Sequence, residues 1–237
     1  MCRMFAYYGS SSSKIEELFN CLKKSAEKDV YFGNATHPDG WGFVILTKDQ
    51  IFHYRSANPI FTENLPIKLD DEETMAIFHA RQATDKNLVG SQFSHPYSEA
   101  NENGLFFFAH NGSVDKEKLS QDLLINSDMV VDSELALKFL LRYSNIYNGI
   151  NDLKNYTRSS LNSFIIRISR EKEAELFYLN YVRNRSEKAS SNYYDLYIDT
   201  KDGISVFSST LSYYCNDLGQ NKVKYGELTP IGKMKLI

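Results

Sequence analysis

The chain has 237 residues, enough for one domain of generous size spanning 1–237. Its apolar content of 42% and aromatic content of 14% can fill a core, and a formal net charge of −3 gives no electrostatic case for nucleic acid or an anionic membrane surface. Three widely spaced cysteines, Cys2, Cys21 and Cys215, argue against a disulfide framework and for the reducing cytoplasm, while the absence of any long apolar window argues against a membrane span.

The first element in chain order is an apolar run from Cys2 to Tyr8, read as a buried strand and closed by the tract Gly9-Ser10-Ser11-Ser12-Ser13. No basic region precedes it, so no signal peptide is expected. A helix follows, with Ile15, Leu18, Phe19 and Leu22 on one face, Ser13 as its N-cap and Glu16 three residues on. Trp41–Thr47 and Ile51–Arg55 flank a Lys48-Asp49-Gln50 turn in a hairpin pattern. Met75–Arg81 and Leu105–His110 are further short apolar runs, and Asp132 caps a helix carrying Leu135, Ala136, Phe139 and Leu140. From Leu161 on, β-like runs at Ser163–Ile168, Leu176–Asn180, Tyr194–Ile198 and Ile204–Ser208 alternate with polar turns. Sixteen tyrosines and fifteen phenylalanines fit half-buried strands. The reading is one mixed α+β domain with several antiparallel strands and few helices.

Chemistry enters at residue 2. If Met1 is removed, Cys2 carries a thiol and a free α-amine on one residue. That amine titrates at about 7.7–8.0 in model compounds and can serve as base for the nucleophile beside it. By itself, a cysteine at the head of a strand is more often a small buried hydrophobe. Five polar clusters stand out further along. His37-Pro38-Asp39-Gly40-Trp41-Gly42-Phe43 contains a Pro-Asp-Gly turn signal. His79-Ala80-Arg81-Gln82-Ala83-Thr84 puts His79 and Arg81 on one face of a strand, where a buried arginine requires an anionic partner. Ser94-His95-Pro96-Tyr97 holds a histidine extended before proline. Phe108-Ala109-His110-Asn111-Gly112-Ser113 ends an apolar run in a hairpin-type Asn-Gly, and Val131-Asp132-Ser133-Glu134 starts a helix. Taken one at a time, each cluster reads as structure. No CxxC pair or HExxH helix suggests a metal.

Taken in order, Met-Cys-Arg, HxDGWG, HxRxAT, HPY, HNG and DSE resemble the class II glutamine amidotransferases of the N-terminal-nucleophile hydrolase superfamily, in particular their stand-alone members. The motifs cover the chain up to about residue 145, and the remainder resembles the family weakly, at Leu161–Phe164 and Ser208–Leu211. The resemblance implies a four-layer αββα sandwich of two antiparallel sheets flanked by helices. It implies that Cys2 attacks the side-chain amide of glutamine or a γ-glutamyl compound through a thioester, with Asn111 and Gly112 as the oxyanion hole. Arg81 would clamp the substrate α-carboxylate, Asp132 would bind its α-ammonium, and Thr84, Gly40 and Trp41 would line the pocket. His79, His95 and His110 would be supporting residues that position loops, and no metal or organic cofactor is required. The chain departs from the family at Asp85-Lys86, where a histidine or glycine often stands, and at Ser94.

No ammonia-accepting domain is read in the residues after the last motif. The implied partners are a glutamine or γ-glutamyl small molecule and, for a glutaminase, a separate synthase subunit, with no nucleic acid or membrane partner. The alternatives are a free-standing γ-glutamyl peptide or thiol-compound hydrolase with little glutaminase activity, or a degenerate glutamine-binding regulatory protein without turnover.

Overall fold

The computed structural model describes residues 2–184 and 192–237. Twelve strands among them form two sheets, every pairing antiparallel. The larger sheet contains β1 (Arg3–Gly9), β2 (Trp41–Leu46), β3 (Ile51–Ser56), β4 (Thr74–Ala80), β9 (Leu196–Asp199), β10 (Ile204–Ser208) and β11 (Asn221–Lys222), in the order β11-β9-β10-β1-β4-β2-β3. The smaller contains β5 (Tyr97–Asn101), β6 (Gly104–Val114), β7 (Thr157–Ile168), β8 (Glu173–Leu179) and β12 (Thr229–Lys235), in the order β12-β8-β7-β6-β5.

The layering follows from the two-residue period of the strands, which sends successive side chains to opposite faces. In β1, Met4 and Ala6 face the other sheet and pack with Val44, Ile77, Val206, Phe107, Ala109, Phe164 and Leu176. Phe5 and Tyr7, one residue out of phase, face outward and pack with Phe43, Phe78 and Phe207 under helix α1 (Ser12–Glu27), through Ile15, Leu18, Phe19 and Leu22. The smaller sheet does the same. Phe106, Phe108, Ile165 and Phe177 turn away from the sandwich toward α2 (Lys116–Leu123), α3 (Asp132–Leu140) and α4 (Ile146–Leu153). Where both faces of a strand are covered, as in β1, β2 and β4, successive residues are buried. The result is the α+β, four-layer αββα sandwich expected from the resemblance. No helix among the described residues is long and apolar enough to cross a membrane.

Three local readings differ. The α1 cap is Ser11, whose Oγ accepts from Lys14 N at 3.2 Å, and not Ser13; in a run of four serines the sequence offers no way to choose. Asp132 is the first residue of α3 rather than its cap, which is Val131. Most consequentially, Cys21 and Cys215 are joined in a disulfide, with Cα atoms 6.0 Å apart. Cys21 lies in α1 and Cys215 caps α5 (Thr210–Tyr214), and these two helices pack side by side on the outer face of the larger sheet. This corrects the expectation of unpaired cysteines and removes the cysteine argument for a cytoplasmic location.

The disulfide closes a loop spanning 194 positions, which removes considerable freedom from the unfolded chain. Cys215→Ser is expected to lower the unfolding free energy by about 2–4 kcal/mol. Denaturant titration under non-reducing conditions measures it. Identical curves for variant and parent would show that the bond contributes nothing.

Candidate active site

Four strand and helix ends meet at one edge of the sandwich. β1 begins there just after Cys2, β4 ends there just before Arg81, β6 brings Asn111 and Gly112, and α3 starts there at Asp132. These ends surround a cavity of about 400 Å³ lined in part by Cys2, Arg81, Thr84, Gly112, Asp132 and Ser133. Ser113, Lys116 and Arg158 also line it.

Cys2 is the free cysteine of the described residues and is 7% exposed. Its backbone N donates to Asn111 Oδ1 at 2.9 Å, a bond that crosses from one sheet to the other. This bond sets the orientation of the Asn111 amide, whose side-chain donor is Nδ2. The Cys2 sulfur receives the backbone N–H of Gln82 at 3.5 Å. Gln82 was not singled out in the sequence, because a main-chain donor leaves no mark on residue type.

The segment 81–83 that supplies this donor is clamped by the Pro-Asp-Gly turn. Asp39 N donates to Arg81 O at 3.1 Å and Arg81 N donates to Gly40 O at 2.8 Å. Asp39 Oδ2 then accepts Ala83 N at 2.7 Å and Lys86 Nζ at 2.5 Å. The turn read as a strand start therefore holds the loop that touches the thiol. Gly40 takes φ +104°, and a Cβ there would stand 2.3 Å from Ser94 Oγ. Neither Gly40 nor Trp41 lines the cavity, which corrects that part of the expected pocket. Trp41 is fully buried in the cluster beneath α1, close to Phe19 and Phe43, with Nε1 donating to Glu63 Oε2 at 2.5 Å.

Arg81 is 4% exposed, and its Nη1 donates to Leu88 O at 2.6 Å. The anionic partner required of a buried arginine is not supplied from within: among the described residues no carboxylate pairs with it. A guanidinium held by one arm beside a cavity retains donors for a ligand carboxylate. Asp132 uses Oδ2 to accept Val114 N at 3.0 Å and Oδ1 to accept Ser133 N at 2.8 Å, tying the end of β6 to the start of α3 while its carboxylate faces the cavity. Thr84 is exposed and lines the cavity.

The three motif histidines lie inside the wall. His79 Nε2 donates to His110 O at 3.2 Å, bracing the backbone next to Asn111. His110 bonds Ser133 Oγ at 2.9 Å and Ser160 O at 3.1 Å. His95 packs on His79, ring centroids 4.1 Å apart, and lines the cavity. Burial holds His79 down at about 3, and holds His95 and His110 below the ordinary histidine range. All three are neutral at pH 7. Among the described residues no group of three His, Cys, Asp or Glu side chains is placed to hold a metal ion.

No protein-family model matches the chain, and no curated protein matches it. Solved structures do. The glutamine phosphoribosylpyrophosphate amidotransferase of B. subtilis, complexed with ADP and GMP, superposes with a TM-score of 0.67 at 15% identity, over 99% of this chain and 49% of that one. A structure described as the allosteric regulatory enzyme of purine biosynthesis superposes with a TM-score of 0.65 at 16% identity, over 97% of this chain and 48% of that one. The fold is that of the N-terminal-nucleophile hydrolases. The chain spans about half the length of these structures, and at such identities the likeness is one of fold. In the N-terminal-nucleophile fold as this chain builds it, Cys2 heads the first strand of the larger sheet at the rim of the cavity.

Two outcomes follow. Gly112 has φ +152°, and a Cβ there would lie 1.9 Å from Ser160 O, in the β6–β7 pairing. Gly112→Ala is expected to cost about 2–3 kcal/mol of stability by denaturant unfolding. The buried histidines give a pH dependence. A histidine whose folded pKa is depressed contributes stability that is complete above its unfolded value, about 6.5, and is lost as pH falls toward the folded value. His79 alone should remove about 2 kcal/mol between pH 6.5 and 5, since its folded value is about 3. Unfolding free energies that hold level or rise over that interval would contradict neutral burial.

Proposed function

We propose that the chain is a class II glutamine amidotransferase-type amidohydrolase. It cleaves the side-chain amide of glutamine or a γ-glutamyl compound through a thioester on Cys2. The observation carrying this reading is the convergence on one cavity of Cys2, bonded through N to Asn111 Oδ1 and through sulfur to Gln82 N–H, with Arg81 holding donors that no carboxylate of the described residues takes. Met1, whose removal the reading requires, lies outside the described residues.

With Met1 gone, Cys2 N is the α-amine. It accepts the thiol proton as Sγ attacks the amide carbon, and the Gln82 N–H stabilises charge developing on sulfur. The tetrahedral oxyanion receives Asn111 Nδ2–H and the backbone N–H of Gly112. Collapse breaks the C–N bond, the ammonium returns its proton to the departing ammonia or amine, and water then hydrolyses the γ-glutamyl thioester. Arg81 receives the substrate α-carboxylate, and Asp132 the α-ammonium across the cavity. This opposite pair selects the free amino-acid end. His79 and His110, neutral and hydrogen-bonded within the wall, brace the backbone around Asn111 instead of moving protons.

The cavity of about 400 Å³ is also lined by Ser113, Lys116 and Arg158. That room favours keeping larger γ-glutamyl amides beside glutamine as substrates. With glutamine, the ammonia would pass to a separate synthase subunit. A cytoplasmic site of action agrees with the substrate class but no longer draws support from unpaired cysteines.

Intact-mass measurement after treatment with a glutamine-analogue electrophile tests the reading. A methionine-free chain carrying one adduct on Cys2 is expected, with no adduct on Cys2→Ala. Amidase activity from protein that retains Met1 would overturn the mechanism, since the amine would be locked in a peptide bond. Turnover of γ-glutamyl dipeptides far above glutamine would select the free-standing hydrolase, and binding of glutamine without turnover would select the regulatory protein.

A further inference from the structure

Next to Cys2, and outside the residues that line the cavity, lies a buried charged cluster that the proposed chemistry does not use. Arg3 and Asp29 are both fully buried, with Arg3 Nε 2.6 Å from Asp29 Oδ2. His37 Nε2 bonds the same carboxylate oxygen at 2.9 Å, and Thr210 Oγ1 donates to Asp29 Oδ1 at 3.1 Å. The guanidinium lies 3.9 Å from the centroid of the Tyr193 ring. Its Nη1 donates to Tyr193 O at 3.3 Å and to Cys2 O at 3.2 Å.

Burying such a pair costs more desolvation than apolar residues of the same volume would, so stability alone is a poor reason for its presence. Its reach is more telling. A chain terminus frays unless it is tied down, and a misplacement of about 1 Å at a reacting group can cost about a hundredfold in rate. Once Met1 is removed, Cys2 is such a terminus. Its N is held by Asn111 and its carbonyl by Arg3, so the two bonds fix the residue on both sides of Cα. Arginine suits the task because its planar guanidinium sets Nε beside Asp29 while Nη1 reaches two carbonyls.

We infer that Arg3 is a positioning residue for the nucleophile, its guanidinium fixed by Asp29 and Tyr193 so that the freed Cys2 keeps one conformation. The inference rests on Cys2 being the nucleophile, as proposed above. Asp29 carries the guanidinium, and Thr210 carries Asp29 from the helix that ends in the Cys21–Cys215 disulfide.

The test compares the full chain with Arg3→Lys and with the double variant Arg3→Met/Asp29→Leu, which removes both buried charges together. In each, KM for glutamine should stay within about twofold, because Arg81 and Asp132 are untouched, while kcat falls about 10- to 100-fold. Labelling of Cys2 by a glutamine-analogue electrophile should slow relative to labelling by iodoacetamide, since only the former needs a placed thiol. A folded double variant with kcat within twofold of the parent and an unchanged labelling ratio overturns the inference. If the double variant does not fold, Arg3→Lys decides, because lysine keeps the charge on Asp29 and loses the arm to Cys2 O; an unchanged kcat there also overturns it. A parent protein whose Cys2 resists the glutamine analogue would instead overturn the proposed function, which keeps the two failures apart.

Discussion

The hydrogen bond from Cys2 N to Asn111 Oδ1 spans the two sheets of the sandwich at 2.9 Å, and the rest of the site is arranged around it. It forms only if the first residue before β1 and the last residues of β6 arrive at the same edge at the same height. Antiparallel pairing of β1 with β4 sets where Arg81 emerges relative to Cys2, through the register Arg3↔Ala80. Pairing of β6 with β7, Asn111 opposite Asn162, sets the other side. A slip of one residue in either ladder would turn Met4 or Ala109 out of the inter-sheet core and carry the polar ends with it. The apolar packing between the sheets therefore enforces the geometry of a polar site that contributes little to the packing.

Around that bond the molecule buries several charged and polar side chains. His79, His95, His110, Asn111, Arg3 and Asp29 are each at most 2% exposed. Most of these groups spend their hydrogen bonds on backbone: His79 on His110 O, His110 on Ser160 O, Arg3 on Cys2 O and Tyr193 O. Such bonds hold loop segments in one place, where apolar contacts would let them slide, because direction matters in a hydrogen bond and hardly at all in dispersion. The cost appears in Asp29. Burial pushes its carboxyl up, but the hydrogen bond from His37 and the charge of Arg3 outweigh this and hold it at about 2. The pair is stable only while all its partners stay in place.

Much of the fold was legible because strands covered on both faces leave runs of apolar residues with sharp polar ends. The β1, β2, β6 and β7 segments are of this kind. Helices α2 and α4 were less so. α2 buries only Leu119 among its residues, so it has almost no apolar period to read, and α4 carries Gly149 in its centre. At the site, Cys2, Arg81, Thr84, Gly112 and Asp132 line the expected cavity and Asn111 touches Cys2. Trp41 sits in the core instead, because a tryptophan after a turn glycine carries no sign of which sheet face it will take. Gln82 and Arg3 escaped notice as contributors for opposite reasons: the first acts through its main chain, and the second through a partner, Asp29, that no motif contains.

By itself, the sequence determined which residues can do chemistry and in what order they come: a cysteine at position two, then arginine, asparagine-glycine and aspartate, each just past an apolar run. Residue type and local period are enough for that, since both act over a few neighbours. Tertiary structure decided which of these atoms meet. The Cys2–Asn111 bond joins residues 109 positions apart, the Asp29–Thr210 bond joins residues 181 apart, and the Cys21–Cys215 link joins residues 194 apart. Contacts at such separations depend on the register of whole ladders and on which face each helix covers. Those are settled collectively by burial of the apolar faces, and no local pattern encodes them.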